Sequence, residues 1–281
     1  MALQPAKSGQ RTTEQLREHY LIERELAGRL RNASREERRL LYSTLYDELY
    51  RRVPLHPQLT RKSSPQEIKA AVSSQMKLLK PFLSEDITFL EAGPGDCALS
   101  FEVAKRVKQV YAVDVSDEIT KSSKQPPNFH LILSDGSSVP LPPNCVDVAY
   151  SNQLMEHLHP DDAREQLENI YSVLIPGAKY ICITPNRLGG PYDISRDYDE
   201  VATGFHLREY STRELSGLFR KVGFTRVRVI LGAKGVYIRV PIYPAVLCEA
   251  LLGVLPYALR KAIARSRPLR LLLGIRLIGT K

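Results

Sequence analysis

From residue 87 onward, short apolar runs alternate with helical segments, and this alternation constrains the fold more than any other feature of the chain. The runs lack polar alternation, which is typical of strands buried on both faces of a parallel sheet. They are ITFLEA (87–92), VYAVD (110–114), FHLIL (129–133), VDVAYS (146–151), YICIT (180–184), TRVRVIL (225–231) and LLLGIRLIG (271–279). The pattern predicts an α/β fold with a seven-stranded, mostly parallel sheet and helices on both faces.

Two appendages flank the alternating region. Residues 11–31 and 34–52 carry apolar side chains at helical spacing, and Ser34 with Glu37 is typical of a capping box. A further helix is expected after Ser64. We therefore divide the chain into an N-terminal helical extension or lid (1–82), a core (83–231), and a basic, apolar helical insert with the final strand (232–281).

The net charge of +9 is unevenly distributed. Residues 1–80 carry a net charge of +7, residues 81–220 carry −9, and residues 221–281 carry +11 with Glu249 as their one acidic residue. The basic segments contain no recognition motif or aromatic platform, which argues against a nucleic-acid partner. The C-terminal cations alternate with apolar residues, so two interpretations stay open: a solvated face on a packed segment, or contact with an anionic membrane surface.

Targeting features and cysteines indicate the compartment. No apolar stretch reaches the roughly 18 to 20 residues that span a bilayer, and the N-terminal MALQPAKSGQ lacks a signal-like apolar segment. The cysteines stand singly, without CxxC pairs or zinc spacing. We expect a cytoplasmic protein, peripheral at the membrane if the C-terminal segment binds lipid.

A glycine-rich turn follows the first predicted strand in EAGPGDC (91–97). Gly93 and Gly95 allow a ligand to approach the backbone closely, and Asp114 lies where an acidic residue accepts hydrogen bonds from ribose hydroxyls. Two features oppose a dinucleotide. The third glycine of G-x-G-x-x-G is absent, and the Glu91 carboxylate repels a pyrophosphate but attracts an amino group or a sulfonium.

With these residues, and with YSVLIPGAKYICITPN (171–186) and STRELSGLFRKVGF (211–224), the chain resembles the class I S-adenosylmethionine-dependent methyltransferases over about residues 85–231. The resemblance implies that S-adenosylmethionine is the cofactor. It assigns the methionine moiety to the glycine turn, the ribose to Asp114 and the adenine to Asp135. The implied cofactor-binding residues are Glu91, Gly93, Gly95, Asp114, Val115, Asp135, Gly136, Asn152 and Gln153.

Two histidines are candidate catalytic residues for the methyl transfer that the resemblance implies, because a hydroxyl acceptor benefits from a base. His157 follows the fourth strand, and His206 ends a polar, aromatic loop (186–206) that could cover the acceptor. A structural role is the alternative for each. On the second helix, Tyr42, Tyr46 and Tyr50 recur at four-residue spacing, which fits either core packing or a face toward the cleft.

The residues around the two histidines also resemble part of a metal-binding motif. Some relatives, the ubiquinone-pathway O-methyltransferases and the small-RNA 2′-O-methyltransferases, carry Glu-x-x-Glu-His here and bind a divalent metal. This chain matches at Glu156, His157 and the later His206, but has Gln153 in place of a carboxylate. Losing an anionic oxygen weakens a hard-cation site, so we predict no metal.

The sequence therefore predicts a methyltransferase that acts on a small-molecule, glycan or lipid-linked acceptor, most simply at oxygen by in-line transfer. Two alternatives stay open. One is a metal-assisted RNA methyltransferase, and the other is a non-catalytic partner protein that keeps the fold.

Overall fold

The computed structural model describes residues 11–60, 64–116, 124–233 and 235–281. The prediction about a signal segment concerns the first ten residues, which lie outside these ranges. The helices are α1 (Thr13–Asn32), α2 (Arg35–Arg52), α3 (Pro57–Thr60), α4 (Pro65–Leu79), α5 (Ala98–Ala104), α6 (Pro160–Val173), α7 (Thr212–Val222), α8 (Tyr243–Gly253), α9 (Tyr257–Ala264) and α10 (Arg267–Leu273). The strands are β1 (Thr88–Ala92), β2 (Gln109–Asp114), β3 (Phe129–Leu133), β4 (Val146–Asn152), β5 (Leu174–Thr184), β6 (Thr225–Ala233), β7 (Val236–Pro241) and β8 (Ile275–Thr280). None of these helices is long and apolar enough to cross a bilayer.

The strands form one sheet in the order β3-β2-β1-β4-β5-β8-β6-β7. The first five pair in parallel, whereas β8 is antiparallel to both β5 and β6. The predicted α/β class and mostly parallel sheet are confirmed. The predicted strand number is wrong, because the described sheet has eight strands: Gly232 and Gly235 take positive φ angles and turn the chain back into β7, inside the predicted helical insert.

The last apolar run is divided between two elements. Residues 271–273 end α10, and β8 begins at Ile275 after Gly274. The strand lies between β5 and β6, where Leu277 and Ile278 are buried on opposite faces. Its position between two strands explains the apolar residues of this run, and Arg276, its one charged residue, donates to the Gly232 carbonyl.

Helices cover both faces of the sheet over its parallel strands. On one face, Phe89, Val110 and Val148 pack with residues of α4 and α5. On the other face, Leu90 and Ala149 pack with α6 and α7, and side chains of α1 and α2 extend the same core. The predicted N-terminal extension therefore contributes helices to both layers.

A buried ion pair joins α2 to the start of α6. The Arg38 guanidinium donates to both carboxylate oxygens of Asp162 at 2.7 and 2.6 Å, and the Tyr42 hydroxyl donates to the same carboxylate at 2.7 Å. The Tyr42 hydroxyl also accepts the backbone N–H of His159. These bonds fix α2 over the carboxyl ends of the strands, where a ligand binds in this type of sheet.

We predict that Asp162→Ala lowers the free energy of unfolding by about 3 kcal/mol, because it leaves the Arg38 charge buried without a partner. The matched control is Arg35→Ala, which removes an exposed ion pair between the same two helices (Arg35 with Glu165) and should cost less than about 1 kcal/mol. Urea unfolding measures both. Equal losses would show that burial of the Arg38–Asp162 pair contributes nothing.

Candidate active site

The turn after β1 creates an opening at the carboxyl edge of the sheet. Gly93 and Gly95 take φ angles of 67° and 56°, and the Gly93 N–H donates to the Val113 carbonyl at 2.9 Å. A Cβ atom on Gly93 would lie 3.0 Å from Leu154, whereas one on Gly95 would meet no atom within 4 Å. The turn is therefore held against β2 and β4, with open space at Gly95.

A cavity of about 530 Å³ lies beside this turn. Of the predicted cofactor-binding residues, Glu91, Gly93, Gly95 and Asn152 line it. The facing wall comes from α4, through Glu67, Ile68, Ala71, Val72 and Gln75. No site residue on α4 was predicted from the sequence, because a helical surface of mixed apolar and polar residues carries no ligand-specific motif.

Glu91 is a buried carboxyl in the cavity wall. Its Oε2 accepts the Ser100 hydroxyl at 2.5 Å. Burial raises the pKa of Glu91 to about 8, and the nearby charges of Asp96 and Asp114 add to the shift. The cavity therefore stabilises a positive ligand group that restores the ionised form, and disfavours a phosphate.

Asp114 ends β2 next to the turn, and Val115 follows it. The Asp114 carboxylate accepts the backbone N–H groups of Val115 at 2.7 Å and Ser116 at 3.3 Å. Burial raises the pKa of Asp114, and these hydrogen bonds oppose the shift. Neither Asp114 nor the predicted Gln153 lines the cavity, so their contacts with a cofactor stay predictions.

Asp135 and Gly136 follow β3 and contact α2. Burial alone would raise the pKa of Asp135, but the Ser138 N–H and the Arg39 guanidinium, 2.8 and 2.9 Å away, outweigh it and the pKa is lowered. Gly136 has a φ of 97°, and a Cβ there would lie 2.7 Å from the Tyr42 ring. Helix α2 thus covers the predicted adenine side, and the roles of Asp135 and Gly136 also stay predictions.

The two predicted histidines lie together, although His157 follows β4 and His206 lies in the loop between β5 and α7. The rings of His157 and His206 are 4.8 Å apart in an edge-to-face arrangement. With Glu156 they offer three ligand atoms within 4.8 Å of one another. The Glu156 Oε1 is buried and has no hydrogen-bond partner among the described residues, while its Oε2 accepts the Thr184 hydroxyl at 2.9 Å. We call Glu156, His157 and His206 the histidine cluster.

Burial and neighbouring charges perturb every member of the cluster. Burial raises the pKa of Glu156 to about 7 and lowers that of His157 to about 4. Burial alone would also lower the pKa of His206, but the hydrogen bond to Glu209 and the charges of Glu156 and Asp193 raise it. Glu209, which the sequence analysis misses, lies three residues after His206 and accepts from its Nδ1 at 2.8 Å.

The tyrosines at four-residue spacing on α2 face inward. Tyr42 bonds Asp162, while the Tyr46 hydroxyl lies 3.3 Å from the His157 Nδ1 and its ring packs 4.8 Å from the Phe205 ring. Tyr46 therefore both packs in the core and contacts the histidine cluster. The two interpretations of this helix face are compatible at that position.

A second histidine group, His19 and His56 with Glu23, was not identified from the sequence. Its potential ligand atoms also lie within 4.8 Å of one another. The His19 Nδ1 accepts from Arg11 at 2.7 Å, and the His56 Nδ1 accepts the Gln58 N–H at 3.2 Å. In a neutral ring each Nε2 then carries the proton, which opposes metal ligation.

Comparisons with known proteins agree with this geometry. A family model described as a methyltransferase domain matches residues 90–182. A protein of Mycolicibacterium smegmatis named as an S-adenosylmethionine-dependent methyltransferase is 31% identical over 137 residues, which cover 48% of this chain and 51% of that protein. The human tRNA N(3)-cytidine methyltransferase METTL6 is 26% identical over 175 residues, which cover 54% of this chain and 60% of that protein.

Among solved structures, a SAM-dependent methyltransferase from Archaeoglobus fulgidus matches with a TM-score of 0.51 and 18% identity. The match covers 85% of this chain and all of that one. At this identity the similarity concerns the fold. The chain spans about half the length of the mycobacterial relative.

We predict that Gly95→Ala weakens S-adenosylmethionine binding at least about tenfold, because the added methyl group enters the open space of the cavity. Gly177→Ala is the control, since Gly177 also has a positive φ and free space around its Cβ but lies outside the cavity. Each variant should lose about 1 kcal/mol of stability. Calorimetric titration that gives both variants the wild-type affinity would contradict the assignment.

We predict that S-adenosylmethionine affinity rises with pH between about 6 and 8, because Glu91 loses its proton near pH 8 and only the carboxylate attracts a cation. The folded protein holds this proton above the ordinary pKa of 4.5, so the Glu91 contribution to stability declines as pH rises from 4.5 to 8. Glu91→Gln should flatten both dependences in titrations and thermal unfolding. An unchanged pH profile of affinity would exclude Glu91 as the contact.

Proposed function

The core of this chain belongs to the class I S-adenosylmethionine-dependent methyltransferases, and on this premise we propose that it methylates a small-molecule, glycan or lipid-linked acceptor at an oxygen atom. The observation that carries the choice of oxygen is the hydrogen bond between the His206 Nδ1 and the Glu209 carboxylate. A hydroxyl acceptor must lose its proton during the transfer, whereas an amine in its free-base form already has a lone pair.

The cavity provides the cofactor side of this proposal. When bound, S-adenosylmethionine supplies a methyl group on a positively charged sulfur. Glu91 suits the positive charge, Gly95 leaves room for the methionine moiety, and Asn152 lines the same cavity at the end of β4. Leu154, which packs against Gly93, connects this wall to the histidine cluster two residues further on.

His206 supplies the base. Because its Nδ1–H donates to Glu209, its Nε2 keeps a lone pair when the ring is neutral. Bound S-adenosylmethionine would supply its methyl group to the acceptor oxygen and leave as the neutral thioether, and the His206 Nε2 would accept the proton that the hydroxyl loses. Glu209 holds the ring in this tautomer and stabilises the imidazolium. His157, whose Nδ1 lies 3.1 Å from the Phe205 carbonyl, presents its own Nε2 as the alternative base.

We predict that His206→Gln lowers kcat about 100-fold or more and leaves the Kd of S-adenosylmethionine unchanged, since a general base contributes about 10² to 10⁴. Glu209→Gln should give an intermediate loss, because it weakens the orientation of the ring. Steady-state kinetics with the identified acceptor measures both variants, and His159→Gln is the control histidine outside the cluster. A wild-type kcat in His206→Gln would mean that His206 is not the general base, and that either His157 is the base or the transfer needs none.

The outer face of α8 supports a lipid-linked acceptor. Tyr243, Leu247, Leu251 and Val254 are 72%, 62%, 63% and 83% exposed and follow one another along one side of the helix and its end. Exposed apolar side chains in such a row are typical of an interface, and the arginines of the neighbouring α10 complement anionic lipid. Contact with a membrane surface through α8 is therefore part of the proposal.

We predict that the chain sediments with phosphatidylglycerol vesicles and that Leu247→Glu with Leu251→Glu abolishes this binding, because charged side chains oppose insertion among acyl chains. Leu40→Glu is the control, as Leu40 is 71% exposed on α2. Binding that is absent in the wild type, or unchanged in the double variant, would leave the soluble acceptors as the proposal.

A metal-assisted methyltransferase is the second candidate, and the orphan Glu156 Oε1 favours it. In His157 and His206 the Nδ1–H donates to an oxygen, which leaves each Nε2 as a possible ligand. Metal-binding histidines commonly donate their other ring N–H to an oxygen in this way. The cluster therefore fits a divalent ion despite the amide at Gln153. Calorimetric titration with Mn²⁺ tests it: binding that His206→Gln removes, with chelator-sensitive activity, supports this candidate.

The acceptor class is tested with methyl-labelled S-adenosylmethionine, the purified protein and a fractionated cell extract. Label in the organic phase supports a lipid-linked acceptor, and label in the aqueous small molecules or glycans supports a soluble one. Label in RNA would favour the RNA alternative, which has the similarity to METTL6 as its support. Cofactor binding without label in any fraction would favour the non-catalytic partner.

A further inference from the structure

A second cavity, of about 160 Å³, lies on the sheet away from the candidate active site. It is formed by strands β5, β6, β7 and β8. Its lining residues are Lys179, Arg226, Arg228, Arg239, Ile278 and Thr280. We call this the basic cavity. Lys179 comes five residues before Thr184, which ends β5 at the carboxyl edge of the sheet. At about 3.3 Å per residue, the basic cavity therefore lies roughly 16 Å from the edge that carries the candidate active site.

Within the part of the chain that the structure describes, the four cations of the basic cavity have no acidic partner. Among the described residues, none of the four forms an ion pair; Lys179 donates to the Gly177 carbonyl, and the Arg239 guanidinium lies 5.2 Å from the Phe82 ring. Burial lowers the pKa of Lys179, and the charges of Arg226 and Arg239 lower it further. Like charges in a concave site repel one another, and a bound anion removes that cost.

The backbone of β6 adds one cation to the basic cavity. Thr225 pairs with Thr280 and Arg228 pairs with Ile278, so β6 contains one more residue than β8 between the two pairs. Val227 is buried in the opposite layer, and the additional residue is Arg226, whose φ is 47°. A side-chain-bearing residue rarely takes this conformation, and bulges of this kind redirect side chains. The strand therefore adopts an uncommon backbone where it presents an arginine beside Arg228.

We propose that the basic cavity binds a phosphoryl group, as the phosphate or diphosphate of a small molecule or of a lipid headgroup. Guanidinium groups present paired donors that match phosphate oxygens, and the Lys179 ammonium adds a point charge. A multiply charged oxyanion matches four cations better than a single carboxylate does. The small volume of this surface cavity suits one such group, whereas a nucleic-acid strand needs an extended basic track with stacking side chains.

The test compares two double variants with the same change in charge. Arg228→Gln with Arg239→Gln removes two of the four cations of the basic cavity, and Arg17→Gln with Arg220→Gln removes two exposed arginines elsewhere. We expect calorimetric titration with sodium pyrophosphate to show at least a tenfold weaker affinity for the first variant and no change for the second. Without an anion, the first variant should unfold at the wild-type temperature or higher, because it relieves repulsion.

Vesicles distinguish the source of the phosphoryl group. Stronger binding to phosphatidic acid than to phosphatidylglycerol, lost in the first double variant, assigns a lipid headgroup. Pyrophosphate binding without that difference assigns a small molecule. The proposal is overturned if pyrophosphate does not bind at millimolar concentration, if both double variants bind it equally, or if polyuridylate binds and pyrophosphate does not. Titration with S-adenosylmethionine should give wild-type affinity in both variants, so this result is separate from the proposed methyl transfer.

Discussion

The irregular loop between β5 and α7 depends on cations that bind its carbonyl groups. Arg31 of α1 donates to the carbonyls of Thr203, Gly204 and His206, while Arg265, directly after α9, donates to those of Gly189 and Pro191. Such a loop has no ladder of its own to satisfy these groups. The N-terminal and C-terminal appendages therefore hold from two sides the loop that carries His206.

This arrangement accounts for part of the uneven charge. Arg265 and Lys261, which the sequence analysis assigns to a single basic segment, face the loop and donate to its backbone. Glu249, the one acidic residue of that segment, is buried and accepts the backbone N–H groups of Thr212 and Arg213 at the start of α7. The insert is thus a packed cap on its inner side. The exposed apolar face of α8 lies on the outer side of the insert. The cations of the basic cavity lie on the neighbouring strands.

The two histidines illustrate what a pattern in the sequence can and cannot predict. Their positions after β4 and at the end of the loop 186–206 single them out, because these places adjoin the carboxyl edge of a parallel sheet, where ligands bind in this type of fold. Their chemistry depends on residues distant in the chain. Tyr46 and the Phe205 carbonyl contact His157, and packing from several segments produces the burial that perturbs each pKa. Only Glu209, three residues from His206, is close enough in the sequence to be identified by a local motif. A single glutamate in a polar loop, however, does not by itself indicate a functional role.

The layer architecture, the glycine turn and the position of Glu91 beside that turn follow from the sequence alone, since strand patterns and positive φ angles are local properties. The order of the last strands and the presence of an eighth strand did not follow from the sequence, because an apolar run does not specify which strands it pairs with. Three features follow from the packing alone: α4 forms a wall of the cavity, α2 covers Asp135, and four cations from three strands meet without a carboxylate among the described residues. Those features arise where segments far apart in the chain pack together, and their energies depend on burial and distance that no single segment contains.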